Sequence, residues 1–67
     1  MEKDWVVAKT FGKAYIADIA VEVLADNGIR GVVMNKKDSS YQTFGDVEVY
    51  VETANLEKAQ KVLEELN

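Results

Sequence analysis

Asp46-Val47-Glu48-Val49-Tyr50-Val51-Glu52 alternates apolar and polar residues with a period of two, the pattern of a strand buried on one face and wet on the other. Val47, Val49 and Val51 make the apolar face, and Asp46, Glu48, Tyr50 and Glu52 make the other face largely acidic. A strand patterned this way needs a second layer against its valines, and the flanking sequence must supply that layer.

On the C-terminal side, Thr53 is placed to cap a helix, and Leu56, Ala59, Val62, Leu63 and Leu66 then recur at helical spacing nearly to the end of the chain. Glu57 and Lys61 lie one turn apart on the exposed side, where they can pair weakly. On the N-terminal side, Lys36-Lys37-Asp38-Ser39-Ser40 is loop material that closes at Gly45. Ile29 to Asn35 reads as another strand.

Further upstream, Ile16, Ile19, Ala20, Val23 and Leu24 give Lys13 to Asn27 one apolar helical face. Asn27-Gly28 supplies a residue able to take positive φ, and Ile29 can pack back on Leu24, so a Schellman-type stop is expected there. Trp5-Val6-Val7-Ala8-Lys9-Thr10, rich in aromatic and β-branched residues, reads as a first strand ended by Phe11-Gly12.

The resulting order is βαββα. Its economical packing is a split βαβ unit, with the third strand antiparallel between the first and second and both helices on one face. The expected fold class is therefore α+β, a ferredoxin-like two-layer sandwich with a three-stranded antiparallel sheet and without the usual final strand. That strand would pair with the first one, so the first strand is left as an open edge that a partner or a second copy would cover.

Composition narrows the functions available. Residues 1–67 read as one domain, with no internal repeat and no proline. A chain of this size buries only about 60% of the surface it exposes when unfolded, so its core has to be small and dense. With no Cys and no His there is no disulfide, no thiolate or imidazole metal site and no histidine general base, and no cofactor or metal is expected. A net charge of −4 repels phosphate backbones and anionic lipids, so neither a nucleic acid nor a membrane partner is expected. Met1-Glu2-Lys3-Asp4 lacks the design of a signal peptide, and Ile16 to Ala25 is interrupted by Asp18 and Glu22, which leaves a cytoplasmic location as the expectation.

Asp26-Asn27-Gly28-Ile29, Val33-Met34-Asn35-Lys36-Lys37-Asp38-Ser39-Ser40-Tyr41 and Gly45-Asp46-Val47-Glu48-Val49-Tyr50-Val51 together resemble a small bacterial domain-of-unknown-function family described as putative signal-transducing proteins. The resemblance covers nearly the whole chain. It implies a ferredoxin-like fold grouped with the PII (GlnB-like) regulators and a role in signalling, and it brings no catalytic residues. PII regulators join strands 2 and 3 by a long loop that bears a modifiable tyrosine and contacts target proteins, and Tyr41 lies at the same topological place. The connection here is much shorter, and no matched set of basic residues is present to hold a nucleotide's phosphates.

The candidate interaction loop is Asn35, Lys36, Lys37, Asp38, Ser39, Ser40 and Tyr41. Loops placed by a rigid scaffold tend to carry function, while Asp38, Ser39 and Ser40 are also ordinary turn formers and Tyr41 is also able to pack over the end of the core. Trp5, Val7 and Tyr50 are candidates for a sheet-face or dimer contact if Val6 and Ala8 point to the core; in the opposite register Trp5 is a core anchor. Asp18, Glu22 and Asp26 recur every four residues on the first helix, with Tyr15 before them. That stripe reads first as a solvated face and second as a docking face for a basic partner.

Ser39 and Ser40 have no histidine to activate them, Lys36 and Lys37 sit in polar sequence, no Gly-rich loop opens a helix, and Asp38, Asp46 and Glu48 do not have calcium-loop spacing. The expected function is a non-catalytic regulatory or protein-interaction module, a homodimer or a binder of another protein, with a small-molecule ligand possible. The alternatives are a PII-like small-molecule or nucleotide sensor and, more remotely, a small enzyme.

Overall fold

The computed structural model describes residues 4–35 and 47–66. Its elements are β1 (Trp5–Phe11), α1 (Ala14–Asp26), β2 (Gly31–Asn35), β3 (Val47–Glu52), a 3-10 turn (Thr53–Asn55) and α2 (Leu56–Val62). The three strands form one antiparallel sheet in the order β1-β3-β2, with both helices over the face that carries the β3 valines. The fold is α+β in βαββα order, in agreement with the ferredoxin-like expectation.

The core follows directly from the alternation in β3. Val49 and Val51 are fully buried and Val47 nearly so, and they pack with Phe11, Ala17, Ala20, Leu24, Ile29, Ala59 and Leu63. Removing a large side chain such as Leu24, Leu63 or Phe11 from water contributes roughly 1.5–3 kcal/mol each. Ala17, Ala20 and Ala59, all at 0% exposure, put no bulk between helix and sheet and let the two layers approach closely.

The buried line of α1 differs from the expected one: Val21 packs against the core in place of the expected Val23, and Ile19 is displaced as well. Ile19 is 44% exposed, and Ala17 takes its place inside. At about 100° per residue, Ala17, Ala20 and Leu24 share one narrow arc, and Ile19 lies well outside it. The close approach of α1 to the sheet selects small residues on that arc, which a search for large apolar side chains passes over.

The stop of α1 is the expected Schellman motif. Gly28 has φ +76°, the Ile29 amide donates to the Leu24 carbonyl at 2.9 Å, and the Gly28 amide donates to the Ala25 carbonyl at 3.0 Å. Ile29 then lands in the core at 2% exposure, and the chain passes into β2 two residues later than its apolar pattern suggests. Gly31 is needed for a different reason: a Cβ there would lie 3.0 Å from Leu24 Cδ1 and 3.4 Å from Val21 Cγ2, so α1 occupies the space a side chain would use.

Two expectations at the second helix are corrected. Thr53 does not cap α2: its amide and its Oγ1 both donate to the Asp4 carbonyl, each at 2.7 Å, and the chain makes a 3-10 turn before the helix begins at Leu56. The hydroxyl is engaged by the start of β1 across the end of the sheet and cannot turn toward the helix amides. The helix also ends at Val62, short of Leu66, because the chain tightens into i to i+3 bonds from Glu64 to Lys61 and from Leu66 to Leu63.

Candidate functional site

The register of β1 decides which residues face away from the helices. Residues directly opposite one another in an antiparallel pair share a face. Val6 is opposite Val51 and so points toward the helices, while Val7 is opposite Tyr50 and Trp5 is opposite Glu52 on the outer face. Between Val7 and Lys9 the register shifts, and Ala8 is the extra residue of a β-bulge. Ala8 is buried, and Lys9, opposite Val49, and Phe11, opposite Val47, return to the helix side. Of the two registers open for β1, the structure has the one that turns Trp5 and Val7 outward, where both are half-buried.

The same reading applied to β2 places Val32 opposite Tyr50 and Met34 opposite Glu48. The outer face therefore has a central row, Val7-Tyr50-Val32, that runs across all three strands, with Trp5 and Glu52 on one side of it and Thr10, Glu48 and Met34 on the other. Met34 is 43% exposed. The Tyr50 hydroxyl donates to Glu48 Oε1 at 3.1 Å, so the one polar atom of the central row is held at its rim. Val32 and Met34 belong to this surface although no face was assigned to them from the sequence; alternation about Val33, which packs on the core, is the signal that locates them.

The rim of the sheet is also defined on the β1 side. Among the described residues, β1 pairs only with β3, so its other edge offers main-chain donors and acceptors to a partner. The charge that would ordinarily guard such an edge is turned away. Lys9 lies under the sheet, where its Nζ donates to the carbonyls of Leu63, at 3.1 Å, and Leu66, and sits 5.7 Å from the centre of the Phe11 ring.

Of the candidate interaction loop, Asn35 ends β2 as an exposed residue opposite Val47. Lys36, Lys37, Asp38, Ser39, Ser40 and Tyr41 lie outside the described residues. Among the described residues, an open depression of ≈ 660 Å³ runs along α2 past Glu57, Lys58, Gln60, Lys61 and Glu64, and a smaller one of ≈ 370 Å³ lies at Asp4, Glu52, Thr53 and Ala54. Among the described residues no group of three His, Cys, Asp or Glu side chains is placed to hold a metal ion, and no helix is long and apolar enough to cross a membrane.

A family model described as "Putative prokaryotic signal transducing protein" matches residues 7–67. No curated protein and no solved structure matches the chain.

Proposed function

Because the chain belongs to the prokaryotic family of that description, we propose that it is a non-catalytic regulatory or protein-interaction module that acts in the cytoplasm and works by self-association. The observation that carries this reading is the apolar row Val7-Tyr50-Val32, with Trp5 and Met34 beside it, on a sheet face that no helix covers among the described residues and next to the β1 edge that none of them pairs with. An uncovered apolar sheet face beside an unpaired strand is the surface that protein partners bury, and a second copy meets it with the same chemistry. The absence of His and Cys from the sequence supports the non-catalytic part of the proposal.

On this reading the strand 2 to strand 3 connection with Tyr41 is a second contact region, by its position between the two strands alone. Sedimentation across a concentration series tests the assembly. Self-association that strengthens into the micromolar range is expected, and a strict monomer at high micromolar concentration rejects the dimer. For the loop, affinity capture with the wild type and with Tyr41→Ala is the test: unchanged partners reject a binding role for Tyr41.

A further inference from the structure

A second surface, on α1, is not used by the sheet face. Its exposed arc carries Tyr15, Asp18, Ile19, Glu22 and Asp26. Tyr15 is 60% exposed and Ile19 44%, so two of the three large apolar side chains most open to water among the described residues stand together here, one helical turn apart. The three carboxylates run beside them at four-residue intervals, a line of about 12 Å at 1.5 Å rise per residue.

This arrangement is unfavourable in the free chain. Like charges at i, i+4 face one another along a helix and destabilise it. Asp26 closes α1 at the negative end of its macrodipole, and no basic residue stands in the last turn. Lys13 lies at the opposite end of the helix, with its Nζ 5.9 Å from the centre of the Tyr15 ring. Within α1, therefore, no cation compensates the acidic line at the end where it would help most.

We propose that this face of α1 docks a basic amphipathic helix from a partner protein. Apolar residues of the partner cover Tyr15 and Ile19, and Lys or Arg residues one turn apart pair with Asp18, Glu22 and Asp26. Charge selects the occupant: a nucleic acid or an anionic bilayer is repelled, and a second copy would bring three more carboxylates against three. A helix fits because the apolar pair and the acidic line are both spaced by one helical turn, the repeat a facing helix presents. The inference deepens the reading of the chain as an interaction module, and it uses a surface separate from the sheet face.

The test is a backbone amide titration of the isotope-labelled chain with two synthetic peptides. One is an amphipathic helix with lysines at four-residue intervals beside a leucine seam, and the other has the same composition in shuffled order. Saturable shifts confined to the Tyr15 to Asp26 segment are expected with the first peptide, weakening with added salt and by about tenfold or more in Asp18→Lys/Glu22→Lys. Both substituted positions are exposed, and Ile19→Ala supplies an independent variant that should also weaken binding. No saturable binding, equal binding of the shuffled peptide, or shifts centred elsewhere overturns the proposal. Concentration-dependent shifts at Tyr15 and Ile19 without peptide would make the occupant a second copy and overturn it as well. Loss of peptide binding in a chain that still self-associates strikes this inference alone; a monomer that binds the peptide strikes only the sheet-face dimer.

Discussion

Lys9 on β1 donates through its ammonium to the main-chain carbonyl of Leu63 at 3.1 Å, across 54 positions of sequence. The same group reaches the Leu66 carbonyl, so one cation bonds two main-chain acceptors just past the end of α2, and the Leu63 carbonyl accepts from both Lys9 and the Leu66 amide. Lys9 thereby ties the last element of the chain to the first.

Lys9→Met keeps the length and apolar stem of the side chain and removes its donors. A loss of about 1–3 kcal/mol is expected, the range for hydrogen bonds made by a charged group and for a cation at a helix C-terminus. Urea unfolding measures the total, and amide exchange should show protection falling first in α2. Unchanged exchange there would mean that packing of Ala59 and Leu63 alone holds the helix.

Gly31→Ala should destabilise the chain. The added methyl meets Leu24 Cδ1 at 3.0 Å, and Leu24 is fully buried among core side chains that must give way with it. Overpacking costs about 1–3 kcal/mol, offset by up to about 1 kcal/mol from the stiffer unfolded chain, which leaves a net loss on the order of 1 kcal/mol. A rise in thermal midpoint would show that α1 can shift away from β2 at little cost.

Lys13→Asp should stabilise it. Lys13 stands at the N-cap of α1 in extended conformation with no side-chain bond to the helix amides, and the first turn contains no acidic residue. A carboxylate there caps the helix and meets the positive end of its dipole, for a gain of about 1 kcal/mol after loss of the weak contact with the Tyr15 ring. In a domain of this size that corresponds to a midpoint higher by roughly 4–8 °C, readable by calorimetry.

Val7→Lys places a charge in the middle of the outer row and beside the free edge of β1. Weakening of self-association by about tenfold or more in sedimentation is expected, with little change in monomer stability because Val7 is only half-buried. Self-association equal to that of the wild type would move the contact off this face.

Much of the fold was legible because its strongest signals are local. The alternation of Val47, Val49 and Val51 determines a half-buried strand whatever surrounds it, and Asn27-Gly28-Ile29 carries its own stop, since a positive φ at Gly28 is a property of the chain at that point. The candidate surface was legible only in part. Trp5, Val7 and Tyr50 do share a face, but their register was open because the bulge at Ala8 breaks the period of two that the eye follows along β1. Val32 and Met34 join them only once β2 is laid against β3.

The sequence by itself determined the element order, the central place of β3, the end of α1 and the absence of His and Cys side chains, because each follows from composition or from the conformational preference of a few adjacent residues. Tertiary structure alone decided that Ala17 is buried in place of Ile19, that Gly31 makes room for Leu24, that the Thr53 hydroxyl serves Asp4, and that Lys9 turns beneath the sheet to close α2. Each of these depends on how closely two distant segments approach, and that distance is set by the packing of the whole core.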